Sequence, residues 1–338
     1  VRQYRIHHRT SFKKEIMKQE KPNLQIIIGN QYNPYINLAV ESKLLDNYLP
    51  NTITMFLWKN SNTVVIGTNQ NPYSECDIDA LNSEGGLVAR RRTGGGAVYH
   101  DLGNLNFSFV ADKEIYDVKR QMQVIQNALL EFNLTTEVSG RNDITYEGRK
   151  FSGNAFAKTK HQGLHHGTIL IKTDGERLQK VLKVKPAKLH KHGVKSVASR
   201  VINLSEVAGI TSDNIIPHLV KAFEKVYDNE AKVIDFDSLL TEDTINLSRH
   251  IGSNEYLFGK WKEFSTKKSS TFDWGSVDID INIDEENRII KDINIASDSL
   301  EPISIEAAEK LLKGANIKEA PSFPSNNKII SDIIGLVY

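Results

Sequence analysis

Residues 90–101 combine cations and glycines at a spacing that could hold an anion. Their sequence is RRRTGGGAVYHD, so three arginines run directly into three glycines. Glycine lets the backbone approach a ligand closely and adopt angles closed to other residues, and arginine offers a planar fork of donors suited to phosphate and carboxylate. The segment lies between apolar runs at 86–88 and 105–110, which we interpret as strands. It therefore predicts a positively charged binding loop on a sheet, where α/β proteins usually place their ligands.

The same segment matches none of the common phosphate-binding loops. It contains no GxxxxGKS/T pattern and no GxGxxG that opens a helix within a βαβ unit. A glycine-rich turn with a solvated basic flank is the plain alternative, because glycine clusters commonly separate strands.

A second glycine-bracketed segment, residues 140–155, contains a lysine in a strand or tight turn. Its sequence is GRNDITYEGRKFSGNA, and Phe151 and Gly153 closely follow Lys150. A lysine held in a pocket is a compact charge that can contact a phosphate and a polarised carbonyl together. A plain surface lysine is the alternative for this residue type. Residues 165–171, HHGTILI, predict a further strand, which the chain enters through Gly167 and Thr168.

These segments occur in an order that resembles the lipoate–protein ligase family. The similarity rests on RRRTGGGAVYHD, GRND, KFSGNA, HHGTILI and KSVASRVINL, and also on NLAVE at 37–41, FLW at 56–58, TVVIG at 63–67 and NPY at 71–73. It covers residues from about 26 to about 204 and returns weakly at FDWG, residues 272–275. The mitochondrial lipoyltransferase branch is the part of the family that we expect to be closest.

The resemblance implies a fold and a chemistry. The fold is α+β, with a large biotin/lipoate-ligase-like sheet domain and a small C-terminal α+β accessory domain. The enzyme holds lipoyl-AMP and transfers the lipoyl group to one lysine of an acceptor, forming an amide. The implied acceptors are the lipoyl domains of 2-oxoacid dehydrogenase complexes and the H protein of glycine cleavage.

The resemblance also implies roles for individual residues. Lys150 corresponds to the catalytic lysine of the family, and we expect it to stabilise the oxyanion and the departing AMP. The expected lipoyl-AMP contacts are Arg91, Gly95, Gly96, Ala97, Val98, Tyr99, Gly140, Asn142, Asp143, Lys150, Thr168, Val197 and Ser199. Trp58 and Val65 are candidates for an apolar tunnel around the lipoyl tail, although ordinary core packing explains either residue as well.

Three hypotheses on activity remain open. The first is a lipoyltransferase that accepts lipoyl-AMP made elsewhere. The second is a complete ligase, which also activates lipoate with ATP and magnesium. The third is a protein that binds the adenylate or a lipoyl domain without turnover, and Lys150 argues against it. Because three arginines stand in residues 90–92, cations alone cannot exclude activation; the basic start of the chain favours the first hypothesis.

Histidines and the cysteine predict neither a metal site nor a thiol nucleophile. His161 and His165 are four apart, which suits a metal on a helix, but Gly163 interrupts the segment and no third ligand is evident. His190 and His192 stand among lysines and indicate a basic surface. Cys76 is the only cysteine, so an internal disulfide is excluded, and we expect a small buried apolar side chain.

Composition predicts a two-domain enzyme. At ~150 residues per domain, 338 residues suggest about two domains, and 39% hydrophobic with 25% charged residues can form a core. The net charge of +1 argues against broad nucleic-acid binding. No apolar run approaches the ~18 residues of a membrane span. We expect a monomer with a basic segment 1–23, a catalytic domain 24–240 and an accessory domain 245–338.

The start of the chain is basic. Five cations, Arg2, Arg5, Arg9, Lys13 and Lys14, precede the first acid, Glu15, and the first residue is not methionine. Both features fit a chain from which an organellar transit peptide has been removed, so we expect the mitochondrial matrix. A trimmed start explains the missing methionine equally well.

Hydrophobic periodicity predicts the elements that position these segments. Residues 24–28 read as a strand, 37–49 as a helix capped by Asn37, and 52–57 with 63–67 as a strand pair. Helical stripes run over 118–132 and 215–227, the latter with Pro217 in its first turn. Acidic and polar residues break the pattern at 235–247. Residues 277–283 alternate as a half-exposed strand, 289–295 pair back, and 305–312 form a short helix.

Overall fold

The computed structural model describes residues 21–140, 142–183, 201–260, 266–284, 286–323 and 326–338. Two predicted contact residues, Val197 and Ser199, lie outside these ranges, as do His190 and His192. Most of the basic segment, residues 1–20, also lies outside them. None of the helices in the described ranges combines the length and apolar character of a membrane span.

Strands form three sheets. In chain order they are β1 (Asn23–Ile28), β2 (Thr52–Trp58), β3 (Thr63–Ile66), β4 (Leu87–Arg90), β5 (Val98–His100), β6 (Asn104–Asp112), β7 (Glu137–Ser139), β8 (Asp143–Tyr146), β9 (Arg149–Lys158), β10 (Gln162–Leu170), β11 (Ala231–Val233), β12 (Thr266–Phe272), β13 (Gly275–Asp284) and β14 (Ile289–Ser297). The large sheet has the order β11-β1-β2-β6-β10-β9-β8-β7. A three-stranded sheet has the order β4-β3-β5, and the C-terminal sheet has the order β12-β13-β14.

Helices cover both faces of the large sheet. In chain order they are α1 (Pro34–Asp46), α2 (Pro72–Glu75), α3 (Ile78–Ser83), α4 (Val118–Leu130), α5 (Gly175–Val181), α6 (Ser205–Ala208), α7 (Ser212–Tyr227), α8 (Glu242–Ile251), α9 (Asn254–Phe258), α10 (Pro302–Leu312) and α11 (Lys328–Val337), with a 3₁₀ turn at Asp237–Leu239. The two predicted helical stripes become α4 and α7, which pack on one face of the sheet. The opposite face carries α1.

Side chains of β2 show how one strand serves both faces. Ile53, Met55 and Leu57 pack with α4 and α7, whereas Phe56 and Trp58 pack with α1. Alternation of this kind follows from the two-residue period of a strand. Because both faces are covered, every residue of β2 is buried.

The start of α1 differs from the prediction. The helix begins at Pro34, and Asn33 caps it by accepting a hydrogen bond from the Tyr35 amide. Asn37 lies inside the helix and is buried. Its Nδ2 donates to the Gln31 and Lys59 carbonyls and to Asn60 Oδ1. The polarity of Asn37 suggested a helix cap. The helix interior tolerates its side-chain amide because these acceptors, from outside the helix, satisfy the amide hydrogens.

Two smaller expectations were also wrong. Strands β2 and β3 do not pair with each other, since they belong to different sheets. Pro217 lies beyond the first turn of α7, which begins at Ser212. The polar region 235–247 contains the start of α8, which Thr241 caps and in which only a few residues are buried.

The C-terminal unit confirms its predicted pattern. Val277, Ile279 and Ile281 of β13 are fully buried and pack with α10 and α11. Strand β14 pairs antiparallel with β13. The sequence analysis began the accessory domain at 245, but helices α8 and α9 pack with the large part of the chain. We therefore keep the name accessory domain for residues 266–338, and call the residues before β12 the large domain. The predicted α+β architecture, a large sheet domain with a small C-terminal α+β domain, is confirmed.

Candidate active site

A pocket of about 150 Å³ lies between the α1 face of the large sheet and the three-stranded sheet. Its lining comes from α1, β2, β3, the glycine loop (residues 91–97), Asn142 just before β8, and strands β5, β6, β9 and β10. The lining residues are Leu38, Trp58, Val65, Arg91, Gly95, Gly96, Ala97, Val98, His100, Asn106, Asn142, Lys150, Gly153, Asn154, Ala155, His166, Gly167 and Thr168.

One row of residues across four strands forms the floor of this pocket. Trp58 stands opposite Asn106, and Asn106 stands opposite Thr168. The Thr168 hydroxyl accepts a hydrogen bond from the Gly153 amide at 3.2 Å. The row crosses β2, β6, β10 and β9, so three interstrand spacings of ~4.8 Å separate its two ends. The floor therefore runs for roughly 14 Å from the Trp58 indole to Gly153. Such a length suits a medium-chain acyl group.

Lys150 lies at the Gly153 end of the floor, near the start of β9. Its Nζ is 2.7 Å from Asp143 Oδ1, and both side chains remain partly exposed. A Cβ atom built on Gly153 would lie 2.8 Å from this Nζ. Glycine at 153 therefore makes room for the ammonium group, which faces the pocket while Asp143 holds it from β8.

The glycine loop folds over the pocket from the opposite side. Gly95 has a φ of +93°, a conformation that L side chains rarely adopt. A Cβ atom on Gly67 would lie 2.4 Å from the Gly95 carbonyl oxygen, so this close approach also requires glycine. The loop backbone is thus brought to the cavity by tight packing rather than by a flexible turn.

Arg91 shapes the loop from within. Its guanidinium is buried and donates to Val65 O at 3.1 Å, to Gly94 O and Gly96 O at 2.8 Å, and to the Thr93 hydroxyl at 3.0 Å. Burial lowers the pKa of Arg91 to about 10, and Glu41 opposes this shift. Arg91 lines the pocket as predicted, but its guanidinium N–H groups donate hydrogen bonds to oxygen atoms of Val65 and of the glycine loop.

The two neighbouring arginines are also engaged. Arg90 is buried and donates to the carbonyls of Gly67, Thr68, Gln70 and Leu257. Arg92 pairs with Asp46 at 2.8 Å on the exposed side. All three guanidinium groups therefore contact groups of the chain itself, because a loop with so many carbonyls turned inward needs donors of its own.

A buried chain of polar groups supports the loop from α1 and β10. Glu41 Oε1 is 2.8 Å from His166 Nδ1, and His166 Nε2 is 2.8 Å from the Thr93 hydroxyl. Burial opposes ionisation of Glu41, but its contacts with His166, Ser108 and Arg91 prevail, and the pKa of the carboxyl falls below its usual value. The carboxylate therefore balances the buried charge of Arg91.

The accessory domain touches the same loop. The Gly95 amide donates to Ser299 O at 2.9 Å, and a Cβ atom on Gly94 would lie 2.1 Å from that oxygen. Asn69 adds two bonds, accepting from the Ser297 amide and donating to Pro302 O. The conformation of the glycine loop is thus coupled to the position of the accessory domain.

Most predicted contact residues come together here. Those that line the pocket are Arg91, Gly95, Gly96, Ala97, Val98, Asn142, Lys150 and Thr168, together with the tunnel candidates Trp58 and Val65. Tyr99 does not line it, because its hydroxyl donates to Asn62 on the other face of β5. Gly140 lies in the turn after β7 with open space around its α-carbon. Asp143 contacts the site through its ion pair with Lys150.

Sequence reasoning missed eight lining residues, namely Leu38, His100, Asn106, Gly153, Asn154, Ala155, His166 and Gly167. Several lie two residues from a predicted one, as His100 does from Val98 and His166 from Thr168. The alternation of side chains along a strand was therefore the sequence signal that could have found these residues, because residues two apart face the same side. Asn142 was predicted, and its Nδ2 donates to the carbonyl of the missed residue Asn154 at 2.6 Å.

The histidine pair and the cysteine have structural surroundings. His165 is buried within β10 and its pKa is lowered to about 3 by burial, whereas His161 precedes that strand. Residues four apart on a strand are roughly 13 Å apart. No group of three or more metal-ligating side chains occurs in the described ranges. Cys76 is buried, as expected, and burial raises the pKa of its thiol to about 12.

Fold and pocket together form a cavity between a sheet and a glycine loop, beside a lysine. Residues 33–224 match the family model described as the lipoyl protein ligase A/B catalytic domain. Residues 262–321 match the model described as the bacterial lipoate protein ligase C-terminus. The chain belongs to the lipoate–protein ligase family, whose enzymes transfer lipoyl groups into amide bonds.

Individual relatives agree with this assignment. A protein of Bdellovibrio bacteriovorus named lipoate-protein ligase A is 40% identical over 299 residues, covering 86% of this chain and 88% of its own. The crystal structure of P. falciparum LipL1 in complex with lipoate superposes with a TM-score of 0.80 at 31% identity, covering 93% of this chain and 99% of its own.

Two further solved structures resemble the large part of the chain. A bipartite lipoate protein ligase from Thermoplasma acidophilum, described with its E2 lipoyl domain, has a TM-score of 0.63 at 26% identity and covers 72% of this chain and all (100%) of its own. A lipoate-protein ligase A bound with ATP has a TM-score of 0.59 at 25% identity, with 72% and 98% covered.

Proposed function

We propose that this protein is a complete lipoate–protein ligase, which activates lipoate with ATP and transfers the lipoyl group to a lysine of a lipoyl domain. The observation that carries the proposal is the 40% identity, over 86% of this chain, to a protein named lipoate-protein ligase A. A structural relative bound with ATP adds support for the activation step.

Activation forms one bond and breaks another. A carboxylate oxygen of lipoate attacks the α-phosphorus of MgATP, the bond to the β-phosphate oxygen breaks, and pyrophosphate leaves. The pocket supplies an apolar channel ending at Trp58 and a cation, Lys150, at the other end. The lysine ammonium offsets the charge of the two anions as they approach.

Transfer then releases AMP. The acceptor amine attacks the lipoyl carbonyl carbon, the C–N bond forms, the C–O bond to AMP breaks, and the amine loses a proton to become an amide. Lys150 donates to the oxygen on which negative charge develops. Asp143, 2.7 Å from Nζ, positions the ammonium, and the acyl group needs no thioester.

A lipoyltransferase that only accepts preformed lipoyl-AMP is the second candidate. One observation favours it: Arg90 and Arg91 donate to oxygens of the chain, and Arg92 pairs with Asp46. A pyrophosphate would then lack the cations that residues 90–92 suggested. This candidate corresponds to the mitochondrial lipoyltransferase branch of the family. With it goes the proposal of a mitochondrial matrix location, which rests on the basic start of the chain.

Lipoyl domains are the proposed acceptors. The support is the Thermoplasma acidophilum ligase, which is described with its E2 lipoyl domain. The H protein of glycine cleavage remains a predicted second acceptor. A monomer that binds neither nucleic acid nor membrane remains the expectation from composition.

Two parallel reactions test the proposal. Both contain the purified protein and an apo lipoyl domain; one receives lipoate with MgATP, and the other receives synthetic lipoyl-adenylate. Mass spectrometry reads lipoylation of the acceptor. Modification in both reactions is expected for the complete ligase, whereas modification with the adenylate alone would establish the transfer-only enzyme.

A further inference from the structure

Strand β9 contains one residue more than the strand it pairs with, directly beside the pocket lysine. Ser152 stands opposite Ile144 of β8, and Lys150 stands opposite Thr145, the next residue of that strand. The pairing skips Phe151, which lies between Lys150 and Ser152. An extra residue of this kind is a β-bulge, and bulges are frequent next to active sites, where they re-aim a side chain.

Regular alternation along β9 would point Lys150 away from the pocket. Successive side chains of a strand point to opposite faces. Gly153 lines the pocket, and Ser152 stands opposite Ile144, which packs in the core under α4 and α7. A strand without the bulge would therefore point residue 151 to the pocket and Lys150 to that core. The structure shows the reverse, since Phe151 is fully buried in the core and Lys150 lines the pocket.

The aromatic ring of Phe151 anchors the bulge. It belongs to the same hydrophobic cluster as Ile144 and the apolar faces of α4 and α7. A buried phenylalanine removes a large apolar area from water. The bulge could flatten only if this ring left the core for the pocket, so burial of Phe151 holds the strand in its bulged register.

The main chain of Lys150 is held from both sides at the bulge. On one side it stands opposite Thr145 of β8. On the other side its carbonyl oxygen accepts a hydrogen bond from the Ile202 amide at 2.9 Å, next to a bridge with Val201. Ile202 is itself buried in the core cluster that contains Phe151. The direction in which the lysine leaves the strand is therefore set by packing on the far face of the sheet.

We propose that Phe151 is a positioning residue for lipoyl transfer, because it holds the bulge that points the Lys150 ammonium into the pocket. The inference rests on the proposed function and adds a residue to the machinery of that site. Phe151 lies on the core face of the sheet, so it acts only through Lys150. Removal of the ring lets the strand segment relax, and the ammonium then loses its place beside Asp143.

A double-mutant cycle tests the inference. Single-turnover transfer from synthetic lipoyl-adenylate to an apo lipoyl domain is measured for Phe151→Ala, alone and combined with Lys150→Ala. A misplacement of about 1 Å costs ~10²-fold in rate, and we expect a loss of this order for Phe151→Ala alone. In the background without the lysine, the same change should alter the residual rate by no more than about twofold, because the group that Phe151 positions is gone. An equal loss in both backgrounds overturns the inference.

Phe223→Ala is the matched control. Phe223 is also fully buried in this cluster, so its truncation leaves a comparable cavity, but it belongs to α7 and to no strand of the site. Both variants should unfold at lower temperature, while the control transfers at nearly the unmodified rate. A loss of transfer in the control as large as in Phe151→Ala overturns the inference.

Phe151→Leu keeps the test decisive if the alanine variant fails to fold. Leucine retains an apolar anchor, so we expect the rate of transfer to fall only several-fold. That smaller loss should again disappear when Lys150→Ala is present. A loss that persists without the lysine overturns the inference.

Chemical labelling separates this inference from the proposed function. Acetylation by an N-hydroxysuccinimide ester, followed by peptide mass spectrometry, reads the accessibility of each lysine without any turnover. We expect Lys150 to react several-fold faster in Phe151→Ala, because its amine is no longer held against Asp143, whereas Lys158 at the other end of β9 keeps its rate. This contrast, with no transfer by the unmodified protein, would contradict only the proposed function. Equal labelling of Lys150 in the two proteins would overturn the inference while leaving ligase activity intact.

Discussion

Lys150 Nζ lies 2.7 Å from Asp143 Oδ1, and the two residues reach this contact from neighbouring strands β8 and β9. The carboxylate fixes a long, flexible side chain at the mouth of the pocket. Because both groups are partly exposed, the value of the contact is positional rather than a contribution to folding.

Lys150→Ala tests the role of the ammonium. We expect the rate of transfer from lipoyl-adenylate to fall by ~10²–10³, the usual effect of removing one preorganised oxyanion donor. Single-turnover transfer, followed by mass spectrometry of the acceptor, measures the rate. Unchanged thermal unfolding serves as the control for the fold, and near-normal transfer would contradict the assigned role.

Gly153→Ala tests the space that the lysine occupies. A Cβ atom at this position would lie 2.8 Å from Lys150 Nζ, so the ammonium must move. Misplacement of a catalytic group by about 1 Å can cost ~10²-fold in rate, and we expect a loss of this order in transfer. Gly175→Ala is the matched control because its Cβ meets nothing within 4 Å; equal rates for the two variants would refute the prediction.

Gly94→Ala tests the contact between the glycine loop and the accessory domain. Its Cβ atom would lie 2.1 Å from the Ser299 carbonyl oxygen, and backbone must shift to relieve the clash. We expect a destabilisation of ~1–3 kcal/mol, as for overpacked sites, and easier proteolytic separation of residues 266–338. Denaturant unfolding and limited proteolysis measure the two effects.

The control for that variant is Gly335→Ala in α11. Its Cβ meets nothing within 4 Å, and alanine favours a helix interior by ~1 kcal/mol. Stability should therefore stay equal or rise. A Gly94 variant that behaves like this control would show that the loop tolerates separation from Ser299.

Cys76→Ser tests whether a thioester takes part. The thiol is buried and its pKa is raised to about 12, so the thiolate that a nucleophile requires is scarce. We expect transfer to be unchanged and the free energy of unfolding to fall by ~1–3 kcal/mol, since the serine hydroxyl is more costly to bury. Loss of transfer in a folded variant would revive a thioester mechanism.

Glu41→Gln tests the buried carboxylate through pH. The pKa of Glu41 is lowered in the folded state, so its ionised form stabilises the protein above the unfolded value of ~4.3. That stabilisation is lost as the pH falls through the lower folded pKa. At pH 7 the variant should be less stable by ~3–5 kcal/mol, as for other broken buried pairs. The deficit should narrow on acidification, which urea unfolding between pH 7 and pH 3 measures; a constant deficit would contradict the prediction.

The sequence alone predicted the elements whose hydrophobic pattern is local. The stripes of α4 and α7 and the alternation of β13 follow from burial of one face, which the order of apolar residues already encodes. Ordered motifs also identified Lys150 and most of the glycine loop, since each motif is a continuous segment of chain. Those inferences needed no knowledge of the neighbours in space.

Only the tertiary structure decided which polar groups meet. Glu41 and His166 are 125 residues apart, and Ser299 reaches Gly95 from another domain. Arg91 shows the consequence, because its charge predicted a free anion-binding fork while its folded neighbours engage its donors. Hydrogen bonding is directional and depends on long-range register, whereas hydrophobic periodicity is a property of the local chain. This physical difference explains why the sequence alone could locate the site. Only the folded structure shows which of its side chains face the pocket and which hold the surrounding loop in place.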